Sequence, residues 1–397
     1  MCLLLTNGSP SIDTLSHIPP LPLFIDYSET ITSKDEDNIH VGLQQHGRVR
    51  QVILQAPSSS LRIRLEQMNN LFPTLGDLSL LSTTTETMSL ALPETLQAPE
   101  LRRLSLHGIG LPNGMPLLSS AIALSTLSLT HIQAPCYFPP GYLVTHLQGL
   151  PHLEELSIGF ATPIPLPSSE GGLLPGLIPP VTLPALKRLT FRGVGIYLDN
   201  LVAQINTPLL LQLSLTLFFE LAFALGNLTE FVHRTEGFRC LVARVIFDQD
   251  GASIDAVLYE QRGIVKLNLQ INCEQLDWQI DSAAQVCSAL GDVLSAVQVF
   301  TLDLDMAGMP SDWENTLDNT QWHELLLPFI GVKKLHHGFS LTNQLFQALE
   351  SVTEGLVSEL LPELQELEVP FEIDYTTNAV STFMEARESI GRPIRPS

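Results

Sequence analysis

Basic residues are scarce in this sequence of 397: 20 Lys and Arg stand against 42 Asp and Glu, a formal net charge of −22. Nucleic acid and anionic membrane surfaces need a basic face that releases counterions, so neither is expected as a partner. Cysteine is thin as well, with five residues (Cys2, Cys136, Cys240, Cys273, Cys287) that form no Cys-x-x-Cys pair and leave one thiol over in any disulfide scheme. That spacing predicts neither a disulfide framework nor a zinc site, and it suits a reducing intracellular compartment, cytoplasmic or nuclear. Residues 1–7 lack a basic stretch and a long apolar core, so they make a poor secretory signal. The most apolar stretch, residues 209–228, is broken by Glu220, and in it Leu211, Leu213, Leu215 and Leu217 alternate with Gln212, Ser214 and Thr216. This is the period of a strand, and it predicts a buried strand followed by a buried helix in place of a membrane span.

Catalytic signatures are missing too. The sequence has no Gly-x-x-x-x-Gly-Lys-Ser/Thr, no Gly-x-Ser-x-Gly, no His-Glu-x-x-His, and no Gly-x-Gly-x-x-Gly after a strand. His336 and His337 are adjacent on an expected strand, so they point to opposite faces and do not chelate one ion together. Asp303 and Asp305 share a face, but two carboxylates without further oxygens make a weak cation site. Trp278, Trp313 and Trp322 read as packing residues. No enzyme activity, cofactor or metal is expected.

What the sequence has in abundance is leucine, 72 residues, in a chain that is 45% hydrophobic and only 16% charged. Such a chain folds. Its leucines recur as Pro-x-Leu-x-x-Leu-x-Leu, clearest at Pro73/Leu75/Leu78/Leu80, Pro99/Leu101/Leu104/Leu106, Pro151/Leu153/Leu156/Ile158, Pro184/Leu186/Leu189/Phe191, Pro208/Leu210/Leu213/Leu215 and Pro362/Leu364/Leu367/Val369. Copies without the proline begin at Val49, Leu124, Val242, Ile264, Val299 and Val332. The spacing is irregular but falls around the leucine-rich-repeat range. Between copies, apolar residues take helical spacing, as in Leu143/Leu147/Leu150, Leu198/Leu201/Val202/Ile205, Leu228/Phe231/Val232, Val286/Leu290/Val293/Leu294 and Trp322/Leu325/Leu326/Phe329. The expected fold class is therefore α/β: a leucine-rich-repeat solenoid with parallel strands on the concave face and helices outside. Its expected divisions are 1–47, an N-terminal segment with a capping strand and helix; 48–370, the irregular array; and 371–397, a C-terminal cap and tail. Residues 161–184, crowded with Pro and Gly, and the acidic 305–320 read as excursions from the repeat.

Several segments resemble the region downstream of the F-box in fungal F-box-like proteins with degenerate leucine-rich repeats: LPLFIDY at 21–27 with its acidic helix start SKDEDNIHVGLQQHGRVRQVIL, LPETLQAPELRRLSL at 92–106, LPALKRLTFRGV at 183–194, INTPLLLQLSL at 205–215, LDWQIDSAAQV at 276–286, LLPELQELEV at 360–369 and FMEARESIGRPI at 383–394. The resemblance implies a non-catalytic protein-interaction scaffold akin to the substrate-recognition region of a ubiquitin-ligase receptor. The family's F-box, which docks a Skp-type adaptor, opens on a Leu-Pro-x-Glu-Ile-like run that residues 1–20 do not contain, so adaptor binding is expected only with an upstream F-box. The competing readings are an orphan or truncated gene product without a selected partner and, third, an enzyme with an unrecognised site.

Within each repeat, the residues flanking the middle leucine and following the last one face away from the core. Between 188 and 270 these positions carry Arg188, Arg192, Arg244 and Lys266 against the single acid Asp248. With strands taken in chain order, the four cations form a band roughly 15 Å long, expected to receive an acidic or phosphorylated segment of a protein or peptide partner. Arg62 and Arg64, placed on an outer helix, lie outside the band.

Overall fold

The computed structural model of the protein describes residues 2–9, 21–28, 32–84, 90–112, 116–163, 179–235, 238–260, 263–273, 275–304, 319–338, 345–346, 348–349, 360–368 and 378–396. Its contacts group into two units, Met1–Gly193 with Gln204–Leu209, and Val194–Ala203 with Leu210–Ser397. Of the expected features, Asp305, Trp313 and Val369 lie outside the described residues, as do 164–178 and 305–318 of the two excursions.

The first unit contains strands β1 (Leu3–Leu5), β2 (Leu23–Tyr27), β3 (Val49–Ala56), β4 (Asp77–Ser82), β5 (Leu90–Ala91), β6 (Arg103–His107), β7 (Ile109–Gly110), β8 (Thr126–Ile132), β9 (Glu155–Phe160), β10 (Val181–Thr182), β11 (Arg188–Gly193) and β12 (Ile205–Asn206). Its helices are α1 (Ser33–Gln44), α2 (Ser58–Gln67), α3 (Pro116–Ser120) and α4 (Pro140–Leu147). The main sheet runs β1, β2, β3, β4, β6, β8, β9, β11, with every pair parallel. Parallel neighbours need a crossover. Helices α1, α2, α3 and α4 lie in the crossovers between β2 and β3, β3 and β4, β6 and β8, and β8 and β9, whereas β5 with β7 and β10 with β12 form small two-stranded sheets beside the main one. A helix after every strand was the expectation, and these short extended segments replace some of them.

The repeat motif has a local cause. In five of the six clear copies the proline follows the first residue of a turn, whose carbonyl accepts from the amide three residues on: Leu75 to Phe72, Leu101 to Ala98, Leu153 to Leu150, Leu186 to Leu183, Leu364 to Leu361. Proline's fixed φ suits the second position of such a turn and its missing N–H costs nothing there. The first leucine of the motif thus belongs to the turn, and the strand begins two residues after it. A relay then stitches neighbours together: the carbonyls of Gly76, Arg102, Ser125 and Glu154 each accept two consecutive amides of the next copy. Leu104, Leu106, Leu127, Leu129, Leu156, Ile158, Leu189 and Phe191 fill the core beneath at 1% exposure or less, so the motif's leucines supply the burial that holds the strands.

The second unit contains α5 (Gly195–Ala203), β13 (Gln212–Phe218), α6 (Gly226–Arg234), β14 (Val242–Phe247), β15 (Gly251–Glu260), β16 (Gly263–Asn272), α7 (Leu276–Ala289), α8 (Gly291–Leu294), β17 (Val299–Leu304), α9 (Asn319–Leu326), β18 (Lys334–His337), β19 (Glu366–Glu368), a C-terminal helix at Asn378–Ser389 and β20 (Arg395–Pro396). Here chain order is not strand order. The sheet runs β13, β16, β15, β14, β17, β18, β19, β20, and β15 pairs antiparallel with both β14 and β16. The all-parallel expectation is corrected at this point: 242–272 is a meander, entered in reverse, within an otherwise parallel sheet. The helical stripes expected from the sequence are buried throughout, from Leu198 on α5 to Trp322 on α9. Carboxylates cap two of these helices from outside them. Buried Asp199 accepts the amides of Asn227 and Leu228 at 2.8 and 3.0 Å at the start of α6, and Glu220 accepts that of Gly195 at 2.5 Å at the start of α5. The apolar stretch 209–228 divides into β13, a loop and the start of α6, and no helix among the described residues is long and apolar enough to cross a membrane.

Candidate protein-interaction surfaces

Strand alternation turns the motif's intervening residues away from the core, and the parallel register aligns them into rows. On the first unit one row reads Gln51, Asp77, Arg103, Thr126, Glu155, Arg188. The next reads Ile53, Ser79, Ser105, Ser128, Ser157, Thr190, and the third begins Gln55, Leu81, His107, Thr130 and includes Gly159 beside Arg192. From Ser79 to Thr190 the middle row is therefore a floor of short hydroxyls between two rows that carry mostly longer side chains. With strands about 4.8 Å apart and alternate residues about 6.7 Å apart along each, the floor is about 19 Å long and its walls stand about 13 Å from each other.

The charged row pairs within itself. The Arg103 guanidinium reaches Asp77 through Nε at 2.9 Å and Nη2 at 2.6 Å, and Arg188 pairs with Glu155, its in-register neighbour. In the third row His107 and His131 stack at 5.0 Å between ring centroids, and His107 Nδ1 lies 3.1 Å from the Thr130 hydroxyl. His131 takes a left-handed backbone, φ 54°, where the register of β8 against β9 breaks. Burial, and then the neighbouring His131, push the His107 imidazole below its ordinary value. The pair is thus neutral at pH 7 on the His107 side and suited to hydrogen bonding more than to charge.

Of the four cations singled out in the sequence, two fall in each unit. Arg188 and Arg192 belong to the first unit, exposed and four residues apart on β11, whereas Arg244 and Lys266 belong to the second. There β15 intervenes between them, because the meander reverses the order of their strands. Arg244 is held by Asp303 at 2.8 Å, so of this second pair only Lys266 has no ion-pair partner among the described residues. Asp248, expected to face outward, instead accepts the amides of Asp250 and Gly251 in the turn that precedes β15. Arg64 is not an outward residue of α2 either, being 8% exposed and 3.7 Å from Glu36.

Elsewhere on the second unit's outward face, Val257, Val242 and Val299 lie in one row between Lys266 and Lys334. Lys334 and His336 converge on Glu368 at 3.0 Å each, and the Lys334 hydrogen bond followed by the His336 charge holds its carboxyl below the usual range. An open cleft of about 550 Å³ lies at the C-terminal end of β16, lined by Phe219, Asp250, Gln270, Asn272, Cys273, Gln275 and Trp278.

Among the described residues nothing in these surfaces assembles a reaction centre, and no group of three metal-ligating side chains occurs. Burial pushes the Cys240 and Cys287 thiols up to about 12 and raises that of Cys136, which keeps them from acting as thiolates. No protein-family model matches the chain, and no curated protein matches it.

Proposed function

We propose that the protein is a non-catalytic scaffold of the leucine-rich-repeat solenoid kind, akin to the substrate-recognition part of an F-box-like receptor, and that the first unit's outward sheet face holds an extended polypeptide. The observation that carries this reading is the in-register hydroxyl floor, Ser79, Ser105, Ser128, Ser157 and Thr190, walled on one side by charges of alternating sign. Hydroxyls both donate and accept, so the floor matches the backbone of a chain laid across the strands. About six extended residues fit its length. The charged wall supplies register: an acidic or phosphorylated side chain of the partner exchanges with Glu155 on Arg188 and reaches Arg192 beyond it. The recurrent proline turn and amide relay support the repeat reading. No adaptor-docking role is assigned to the residues present.

The test is selection of random twelve-residue displayed peptides against the full chain. Enriched peptides are expected to lose at least about tenfold in affinity to Ser128→Arg, which fills the floor, and to the double change Arg188→Glu with Arg192→Glu. Arg62→Glu, exposed on α2, should leave them bound. Enriched peptides indifferent to both face variants would falsify the proposal.

A further inference from the structure

The cleft on the second unit is built unlike the sheet faces. Phe219, just beyond β13, and Trp278, in the first turn of α7, stack at 5.1 Å with 9° between their planes, yet Trp278 remains 41% exposed. Around this ridge stand the side-chain amides of Gln270, Asn272 and Gln275, none of which makes a hydrogen bond among the described residues, and neither does the indole N–H of Trp278. The frame that holds them is rigid. Gln279, fully buried, donates through Nε2 to the carbonyls of Asp248 at 2.8 Å and Cys273 at 2.7 Å, tying α7 to the turn and to the end of β16. Gln285 does the same for the loop after Phe219, accepting from the Phe223 amide at 3.0 Å and donating to the Leu221 carbonyl at 3.3 Å.

A fixed, exposed aromatic ridge ringed by unused donors is a recognition surface, and its chemistry selects the occupant. Among the described residues no cation lines it, which disfavours an anion or phosphate group. Among the described residues the charge in its lining is Asp250. Strand addition is closed off, because β16 is hydrogen-bonded on both sides, to β13 and β15. An amphipathic helix needs a continuous apolar groove, and here amides interrupt the apolar surface. What remains is an extended segment recognised without its own N–H groups. A polyproline II chain has no internal hydrogen bonds, offers its carbonyls outward to donors, and lays flat pyrrolidine rings against aromatic faces.

We infer that this cleft binds a proline-rich segment of a partner protein in polyproline II form, its rings on the Phe219 and Trp278 ridge, its carbonyls on the three amides and the indole N–H, and a flanking basic residue on Asp250. The site is independent of the first unit's sheet face, so either assignment stands if the other fails. The test probes the full chain with an array of ten-residue proline-rich peptides bearing an arginine at either end, beside proline-to-alanine versions and an oligosaccharide array. Fluorescence anisotropy then measures the best binder. Trp278→Ala should weaken it by about thirtyfold while the circular dichroism spectrum is retained, since the Gln279 and Gln285 hydrogen bonds hold the frame without the indole. Asp250→Asn should remove most of the preference for arginine-bearing peptides, and Ser128→Arg should change nothing. An array without binders, binding that survives Trp278→Ala, equal binding of the alanine versions, or capture of a glycan through Trp278 in place of peptide would each overturn the assignment.

Discussion

A histidine held neutral by burial makes a protein sensitive to acid, and there are three among the described residues. Burial lowers the pKa values of His107, His146 and His337, opposed at His337 by its hydrogen bond to the Gly338 carbonyl. A group whose folded pKa is depressed binds its proton more readily in the unfolded chain, so each contributes stability that is complete above the unfolded value near 6.5 and is lost as the pH falls toward the folded one. Glu368 and Asp35, also depressed, act in the same direction but only below about 4.5, so the interval from pH 7 to 5 reports mainly on the histidines. Glu220 runs oppositely: burial raises its pKa, so it favours the folded state more as the pH falls toward its unfolded value. The urea midpoint is therefore expected to fall between pH 7 and pH 5, and His337→Gln should flatten that fall. A midpoint that rises over the interval contradicts the assignment. At this scale the sequence is partly legible. Alternation tells which side chains face outward, including Glu155 and Arg188 at the same motif position, but a band drawn from residue 188 onward leaves out the acid one strand away. Ion pairing across a sheet depends on register, and register couples residues 33 apart that no local window sees together.

At the scale of elements, the motif locates the strands well because one leucine pattern dictates both burial and turn. What it misses has an equally local cause. The segment 251–260 lacks the leucines of the motif, so the repeat passes over it, although Ala252, Ile254 and Ala256 alternate with Ser253, Asp255 and Val257 and the pair Asp250-Gly251 marks a hairpin. Two antiparallel ladders follow from that one strand, and they reverse the order of its neighbours. The hairpin depends on Gly251: its φ is 155°, and a Cβ there would lie 1.9 Å from the Ile271 carbonyl oxygen, so no side chain fits. Backbone on the opposing strand does not yield as a side chain does. Gly251→Ala is expected to destabilise by about 2–4 kcal/mol in urea unfolding, whereas Gly226→Ala, at the open start of α6 with nothing within 4 Å, should be neutral or stabilise by up to about 1 kcal/mol. Equal effects from the two would mean that the turn adapts and that the meander is held by its ladders alone.

For the whole molecule the sequence is most legible in its charge and least in its grouping, since the motif copy that begins at Pro208 straddles the division, its proline in the first unit and its leucines Leu210, Leu213 and Leu215 in the second. Charge gives the last prediction. Salt has two opposing effects here. It weakens exposed ion pairs such as Arg103 with Asp77 and Arg244 with Asp303, each worth about 0–1 kcal/mol. It also screens the mutual repulsion of a chain with net charge −22, which grows roughly with the square of the charge and acts over the whole folded surface. Raising ionic strength from about 0.01 to 0.15 M shortens the screening length from about 30 to 8 Å, which cuts the long-range repulsion across the folded surface but still exceeds the length of an ion pair. The repulsion is therefore lost first. The melting temperature should rise by several degrees over that range at pH 7.5, equally in sodium and potassium chloride, as screening without specific binding requires. A fall would mean that the cross-strand pairs, including Arg188 with Glu155 on the proposed binding face, contribute more than exposed pairs ordinarily do.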